Sequence, residues 1–421
     1  MSLFNIFERA KTNVFFKNVA TLASGTIISQ LVVIASSPLL TRLYTVESFG
    51  LLSLFTSYVV IFAVISTGRY ELAVPLPTKD VDGRKIIQLI FGIGFISAIA
   101  YFILIFISKE ILQLQTHFEL LNHWWIYLAP LYIFFIALYS GLGYWYQRKK
   151  NYKKITLVNA FQVIITAVCS IVFGFLKIES GLILSLILGI LFSIFYFLKE
   201  YVKENQIFSL QQVKEIGREF ISFPKYMTVS DLSLTASQQI IPISFEHFFS
   251  TTVLGFYSMA SRMIRIPNIV ITNAIGNVFR NDAIDEIRSK GNCKDLYKST
   301  FKKLILMSFP IYLLVFLLSP MLFSFFFGEE WFTAGVYARI LSILLFFEFV
   351  ASPLNSVFYI REKKKQFARL QFLNAIFGAL GLYCGFYFWN SAIVSLMFFT
   401  GFSIIFNLIF LYFSFKYSEH V

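Results

Sequence analysis

Apolar runs of about 20 residues recur along this chain from one end to the other, each long enough to cross a hydrocarbon layer of roughly 30 Å as a helix. They fall near 18–40, 49–68, 86–108, 124–146, 155–176 and 181–198, and, after a polar segment, near 227–248, 253–279, 303–327, 335–360, 370–389 and 392–415. Such runs leave little room for a soluble core. The chain has 421 residues, is 57% hydrophobic and 14% charged, and has a mean hydropathy of +0.71, against roughly 25% charged residues in a soluble domain. The first run begins well inside the chain and eleven follow it, so it reads as a span rather than a cleaved signal peptide. The expected fold is an all-α integral membrane protein of about twelve transmembrane helices.

The net charge of +13 would point to nucleic acid in a soluble protein. Here its placement points elsewhere, because Lys and Arg mark cytoplasmic loops. Of the 36 Lys and Arg residues, 30 lie in alternate connecting segments counted from the N-terminal tail, and only 3 lie in the opposite set. The remaining three, Arg262, Arg265 and Arg339, fall inside spans. This alternation predicts cytoplasmic termini at both ends and no nucleic-acid partner. It also supports the span count, since one missed span would scramble it. Cys169, Cys293 and Cys384 show no metal-ligand spacing and imply no disulfide framework. His117, His123, His247 and His420 form no relay or metal cluster. Neither a metal nor another cofactor is expected.

The polar segment 199–225 divides the chain into an N-terminal six-span lobe, 1–198, and a C-terminal one, 226–421. Within the segment Ile207, Phe208, Leu210, Val213, Ile216 and Phe220 make an apolar stripe among Lys and Glu. That pattern fits a helix lying on the cytoplasmic membrane surface, or a plain linker helix. The two halves align. With an offset of 205, Gly50 and Ser53 fall on Gly255 and Ser258. With an offset of 215, Tyr144, Lys149, Lys150, Asn159, Ala160, Cys169 and Phe173 fall on Tyr359, Lys364, Lys365, Asn374, Ala375, Cys384 and Phe388. Six spans per half preserve orientation, so the repeat is parallel. Repeats of this kind place a substrate site between the halves, around a central cavity.

Polar residues inside a span are costly and usually face the bundle interior. At about 100° per residue, Ser258, Arg262, Arg265, Asn273, Gly276, Asn277 and Arg280 share a stripe of span eight, with Pro267 kinking the helix between them. Their counterparts in span two include Ser53, Ser57, Gly68 and Glu71. In span seven Asp231, Thr235, Gln238 and Pro242 share a face, matched in span one by Thr26, Gln30, Val33 and Ser37. Thr26, Gln30, Ser53, Ser57, Thr235, Gln238, Ser258, Asn273 and Asn277 are therefore candidate cavity-lining residues.

Arg262 and Arg265 lie three residues apart on one face. An Arg at a helix centre costs roughly 2.5–3.5 kcal/mol on insertion scales. Two guanidiniums with no carboxylate in their own span suit an anion, and phosphate is the anion that Arg grips bidentately. The alternative is a structural pair with Asp231 or Glu348, or snorkelling to the interface. Arg69 and Glu71, at the cytoplasmic end of span two, are candidate gating residues or ordinary juxtamembrane charge. Asp231 and Glu348 are candidate ion-coupling acids or partners for Arg. No catalytic residue is assigned.

The stretch Leu22-Ala23-Ser24-Gly25-Thr26-Ile27-Ile28-Ser29-Gln30, followed by Pro38-Leu39-Leu40-Thr41-Arg42-Leu43-Tyr44 and Phe49-Gly50, resembles the O-antigen and polysaccharide flippases. So does Thr67-Gly68-Arg69-Tyr70-Glu71-Leu72-Ala73-Val74 at the end of span two, its most specific part. The second half adds Phe223-Pro224-Lys225-Tyr226, Ser237-Gln238-Gln239 and Pro242. The resemblance covers nearly the whole chain, and the superfamily also holds multidrug exporters and the lipid II flippase. It implies two six-helix lobes flanking a V-shaped cavity in the bacterial inner membrane. The implied substrate is an undecaprenyl-diphosphate-linked oligosaccharide, such as an O-antigen or capsule repeat unit, moved from the inner to the outer leaflet. Membrane lipids, and the polysaccharide polymerase and chain-length proteins, are the implied partners. A multidrug exporter of the same superfamily would favour acids over arginines in its cavity. A membrane polymerase or ligase would need a larger outer loop than 109–123 with an acid/base pair, and a scaffold would not account for arginines inside spans.

Overall fold

A computed structural model describes residues 14–114, 119–202 and 209–419 of the chain. His117, His420, Ile207 and Phe208 lie outside these residues. Helices make up the regular structure, and no strand occurs among the described residues. In order they are α1 (Val14–Leu43), α2 (Val46–Thr67), α3 (Asp80–Phe106), α4 (Ala129–Arg148), α5 (Tyr152–Phe175), α6 (Gly181–Tyr201), α7 (Leu210–Glu219), α8 (Val229–Phe248), α9 (Thr251–Ile264), α10 (Asn273–Lys290), α11 (Lys294–Phe327), α12 (Phe332–Leu354), α13 (Ser356–Ile360), α14 (Lys364–Trp389) and α15 (Ala392–Glu419).

Ten of the described helical segments are long and apolar enough to cross a membrane, against the twelve expected. The other two expected spans are helical but differ in kind. The seventh is α8, which has the length but carries Asp231, Thr235 and Gln238 in place of aliphatic residues. The eighth is broken into α9 and α10. Pro267 has no N–H to donate and its ring crowds the preceding turn, and residues Asn268–Thr272 form a wide π-helical turn before α10 begins. A π-turn shifts the angular register of everything after it. The straight-helix stripe from Ser258 to Arg280 is therefore cut in two.

The helices form two compact units, one of residues up to Tyr44 and Leu51–Gln239, the other of Thr45–Gly50 and Ile240–Val421. The division falls inside α8 rather than across 199–225, and the first turn of α2 belongs to the second unit. The segment expected at the membrane surface is part of the first unit. Val213 and Ile216 of α7 are buried, and Gly217 packs on Leu89 while its carbonyl accepts the Tyr70 hydroxyl at 2.9 Å. The apolar stripe of α7 is thus spent on the protein. Only its flanks, Leu210 and Ile221, stay exposed.

Small residues set the close helix contacts, as they do where hydrocarbon on every side leaves no hydrophobic drive between helices. In the first unit Gly25 of α1 sits against Thr156 of α5, and Gly94 of α3 against Ala137 of α4. Tyr44 closes the end of α1 by donating to the Ser170 carbonyl at 2.7 Å. In the second unit Ser319 of α11 donates to the Gly335 carbonyl of α12 at 2.9 Å. A Cβ on Gly385 of α14 would lie 2.3 Å from the Ser395 Cα of α15. Phe358, Phe406 and Phe410 build an aromatic core elsewhere in this unit.

The repeat appears in these contacts and so do its limits. Tyr139 donates to Asn159 in the first unit. The aligned position of Tyr139 in the second half is Leu354, and the Asn374 side-chain oxygen is buried with no hydrogen-bond partner among the described residues.

Overpacking a tight contact costs about 1–3 kcal/mol. Gly385→Leu is therefore expected to lower the apparent melting temperature of the detergent-purified protein by several degrees. Gly401→Leu, with nothing within 4 Å of its Cβ position, is expected to leave it unchanged in the same thermal scan.

Candidate functional site

Each unit holds a constellation of the charged residues singled out from the sequence. The one in the first unit begins where α2 stops. Gly68 and Arg69 take consecutive left-handed conformations, φ 54° and 56°, and turn the chain into a short 3-10 segment, Tyr70–Ala73. A left-handed backbone is ordinary for Gly and costs roughly 1–2 kcal/mol for other L-residues. Arg69 is held there by its partners. Its backbone N–H donates to the Thr67 hydroxyl at 3.2 Å. Its guanidinium pairs with Glu71 at 3.0 Å and with Asp231 of α8 at 2.7 Å. Glu71 is 2% exposed, and its second carboxylate oxygen has no hydrogen-bond partner among the described residues. One guanidinium thus bridges two carboxylates from separate elements, and the Tyr144 hydroxyl sits within the field of all three.

In the second unit Arg265 caps the C-terminal end of α9. Its Nη1 pairs with Glu348 of α12 at 3.0 Å, and its Nε donates to the Ser261 hydroxyl at 3.1 Å. The π-turn places Asn268 beside this pair. Asn268 donates to the Leu345 carbonyl at 3.4 Å and accepts the hydroxyl of Tyr312, a buried residue of α11. Arg265, Glu348 and Ser261 are thus one bonded set and Asn268 and Tyr312 another, in a setting where an unpaired polar group is expensive.

Arg262 is outside both. The side chain is exposed. Among the described residues it makes no hydrogen bond or ion pair. The two arginines that look equivalent by sequence spacing are thus different. Arg265 takes the structural pairing with Glu348, and Arg262 has no such partner among the described residues. Asp231, the other acid weighed as a partner, is held by Arg69.

The remaining candidates divide in the same way. Thr26 and Gln238 are exposed, and Gln30, Ser53 and Thr235 are half-buried. Ser57 is buried and donates to the Ser53 carbonyl at 2.8 Å, and Ser258 donates to the Gly255 carbonyl at 3.0 Å, so both hydroxyls are committed to their own helices. Asn273 donates to the Ile269 carbonyl at 2.9 Å, and Asn273 and Asn277 are both exposed on α10, beyond the break. Ser261, Asn268 and Tyr312 were missed from sequence. A straight helix puts Asn268 off the stripe, and nothing in the spacing of α11 singles out Tyr312. The signal that could have found Asn268 is Pro267 itself, since polar residues just after a helix break are freed to turn inward. No group of three or more His, Cys, Asp or Glu that could hold a metal occurs among the described residues.

A family model described as "Polysaccharide biosynthesis protein" matches residues 39–335. The chain belongs to this family. Its fold is that of membrane transporters. A structure titled "Lipid II flippase MurJ, inward closed conformation" matches with a TM-score of 0.69 at 16% identity, over 94% of this chain and 87% of the other. The inward-facing conformation of a multidrug resistance MATE family transporter of the MOP superfamily matches with a TM-score of 0.65 at 12% identity, over 94% and 92%. No curated protein matches. Family and fold together make this an all-α, multi-pass membrane protein of a polysaccharide biosynthesis family, with a fold shared with membrane transporters. They agree with the family and fold implied by the resemblance read from the sequence.

The two arginines are expected to respond differently to loss of charge. Arg265→Gln and Glu348→Gln should each destabilise the purified protein by about 1–3 kcal/mol, because each leaves its partner unpaired. The double variant should lose less than the sum, giving a coupling of about 1 kcal/mol or more in a double-mutant cycle. Arg262→Gln should stay within about 0.5 kcal/mol of wild type. Thermal or denaturant unfolding in detergent measures all four.

Proposed function

We propose that this protein is a flippase for an undecaprenyl-diphosphate-linked oligosaccharide, an O-antigen or capsule repeat unit, and that Arg262 binds the pyrophosphate. The observation that carries the reading is the free guanidinium. An arginine in a membrane-spanning region must find an anion or water, and this one has no carboxylate partner among the described residues. Its neighbour three residues on has one. A pyrophosphate supplies two adjacent oxygen clusters that a guanidinium grips with paired, charge-assisted hydrogen bonds. A site built to extrude cations would carry the charge the other way.

The mechanism is alternating access by the six-helix lobes 1–198 and 226–421 in the bacterial inner membrane, with both termini cytoplasmic as the Lys and Arg alternation indicates. The polyprenyl tail stays in lipid while the glycan passes through a polar cavity lined by Thr26, Gln30, Ser53, Thr235, Gln238, Asn273 and Asn277. Arg265 positions α9 through Glu348 and adds long-range positive potential. The Arg69–Glu71–Asp231 cluster serves as a cytoplasmic gate that joins the end of α2 to α8. A headgroup with about two negative charges leaves a negative-inside cell with roughly 2.3 kcal/mol of help per charge per 100 mV. Polymerase and chain-length proteins would receive the flipped product. The protein performs no covalent chemistry on this reading.

Arg262→Gln is expected to abolish flipping in vesicles loaded with lipid-linked oligosaccharide, while its expression and melting temperature match wild type. Arg262→Lys should retain part of the rate, since it keeps the charge and loses the fork. Wild-type flipping by the Gln variant would remove the anion site. Wild-type susceptibility to small cationic drugs in a deletion strain is expected, and hypersensitivity would favour a multidrug exporter.

A further inference from the structure

Two prolines lie inside α11, Pro310 and Pro320. Each removes an N–H that the carbonyl four residues earlier would accept in an unbroken helix. For Pro320 that carbonyl belongs to Phe316. It sits in a helix long and apolar enough to cross a membrane, where hydrocarbon offers an orphaned carbonyl no water and a neighbouring element has to serve it. Here the neighbour is α12. Nε of Arg339 donates to the Phe316 carbonyl at 3.0 Å, and Nη2 of the same guanidinium donates to the Leu317 carbonyl at 3.4 Å. Nε and Nη2 are fixed donors along one edge of a planar fork, and that edge meets two consecutive carbonyls at the proline break.

A contact one turn away sets the approach. Gly335, one turn before Arg339 on α12, packs on the proline itself. A Cβ there would lie 2.5 Å from the Pro320 Cα and 2.7 Å from the Ser319 carbonyl oxygen. Ser319 and Pro320 are both buried, and the Ser319 hydroxyl donates to the Gly335 carbonyl at 2.9 Å. The exchange is therefore two-way. At Gly335, α11 gives α12 a hydroxyl; at Phe316, α12 gives α11 a guanidinium. Arg339 and Glu348 are nine residues apart on α12, which at about 100° per residue puts them on opposite sides of the helix. One side is thus tied to α11 and the other to α9. The charge of Arg339 is spent on main-chain carbonyls, a usual partner for a cation inside a span.

We infer that Arg339 is a surrogate helix donor: it supplies from α12 the hydrogen bond that Pro320 withholds from α11, and so holds the broken stretch of α11 against α12. This makes it a positioning residue and separates it from Arg262, whose guanidinium makes no such bonds. The role has a directional consequence. Arg339 is needed only while residue 320 lacks an N–H, so restoring that N–H makes the guanidinium dispensable. Neither general packing nor anion binding would depend on residue 320 in this way. Pro310 is the internal comparison, because the carbonyl it orphans, that of Leu306, lies ten residues before Phe316, about 15 Å back along the helix and beyond the reach of Arg339.

A double-mutant cycle on the detergent-purified full chain tests this without any substrate. Arg339→Met, which keeps an apolar stem and loses every donor, is expected to lower the apparent melting temperature by several degrees. Added to Pro320→Ala, which returns an N–H to the Phe316 carbonyl, it is expected to lower the melting temperature by less than half as much. Added to Pro310→Ala, it should cost as much as it does in the wild type. Equal losses in the Pro320→Ala and wild-type backgrounds would overturn the surrogate-donor role. So would an Arg339→Met protein that melts with the wild type; if that protein also failed to flip lipid-linked oligosaccharide, Arg339 would belong to the headgroup site instead. Where Arg339→Met alone yields no folded protein, the readout is recovery of monodisperse protein in detergent. Recovery is then expected with Pro320→Ala and not with Pro310→Ala, and recovery with neither or with both would overturn the inference.

Discussion

A charge in hydrocarbon must be paired, hydrated or bound, and that constraint organises this protein more than any single contact. It explains why thirty of the cations lie in one alternating set of loops and why those inside spans have distinct fates. Arg265 is satisfied by Glu348, Ser261 and the backbone geometry of a broken helix. Arg339 reaches the Phe316 carbonyl at 3.0 Å. Arg262 has no protein partner among the described residues, and it is for this guanidinium that an anionic headgroup is proposed.

Backbone breaks do the positioning. Pro267 and the π-turn after it uncouple α9 from α10, aim Asn268 at Tyr312 and leave Arg265 at a helix end facing α12. The left-handed pair Gly68–Arg69 ends α2 and carries Arg69 to Glu71 and Asp231. Both constellations therefore sit where a helix is interrupted. Interruption frees main-chain groups and redirects side chains, and it is tolerated at membrane depth only where protein or water satisfies what it exposes.

The all-helical membrane fold and the family were legible in the sequence, and so was the presence of charged residues in or beside the spans, among them Arg69, Glu71, Asp231, Arg262, Arg265 and Glu348. Apolar run length, charge alternation and the rarity of charge in spans are local signals that survive without coordinates. Pairings were less legible. Glu348 and Asp231 were equal candidates for Arg265, because which of two acids reaches a guanidinium depends on the crossing of α9 and α12 and on the turn at Pro267. The α7 stripe was ambiguous for a related reason, since an amphipathic pattern shows that an apolar face is covered but not by what. Here Leu89 and Tyr70 cover it. The Gly50–Gly255 match was visible as a repeat, but its steric meaning required the carbonyls of Thr251 and Val46.

Affinity for the headgroup tests the central claim most directly. A short-chain polyprenyl-diphosphate oligosaccharide and its monophosphate analogue can be titrated calorimetrically into the detergent-purified protein. The account predicts tighter binding of the diphosphate and at least a tenfold weakening in Arg262→Gln, about 1.4 kcal/mol, with the melting temperature unchanged. Equal affinity of the wild-type and Arg262→Gln proteins for the diphosphate would contradict it.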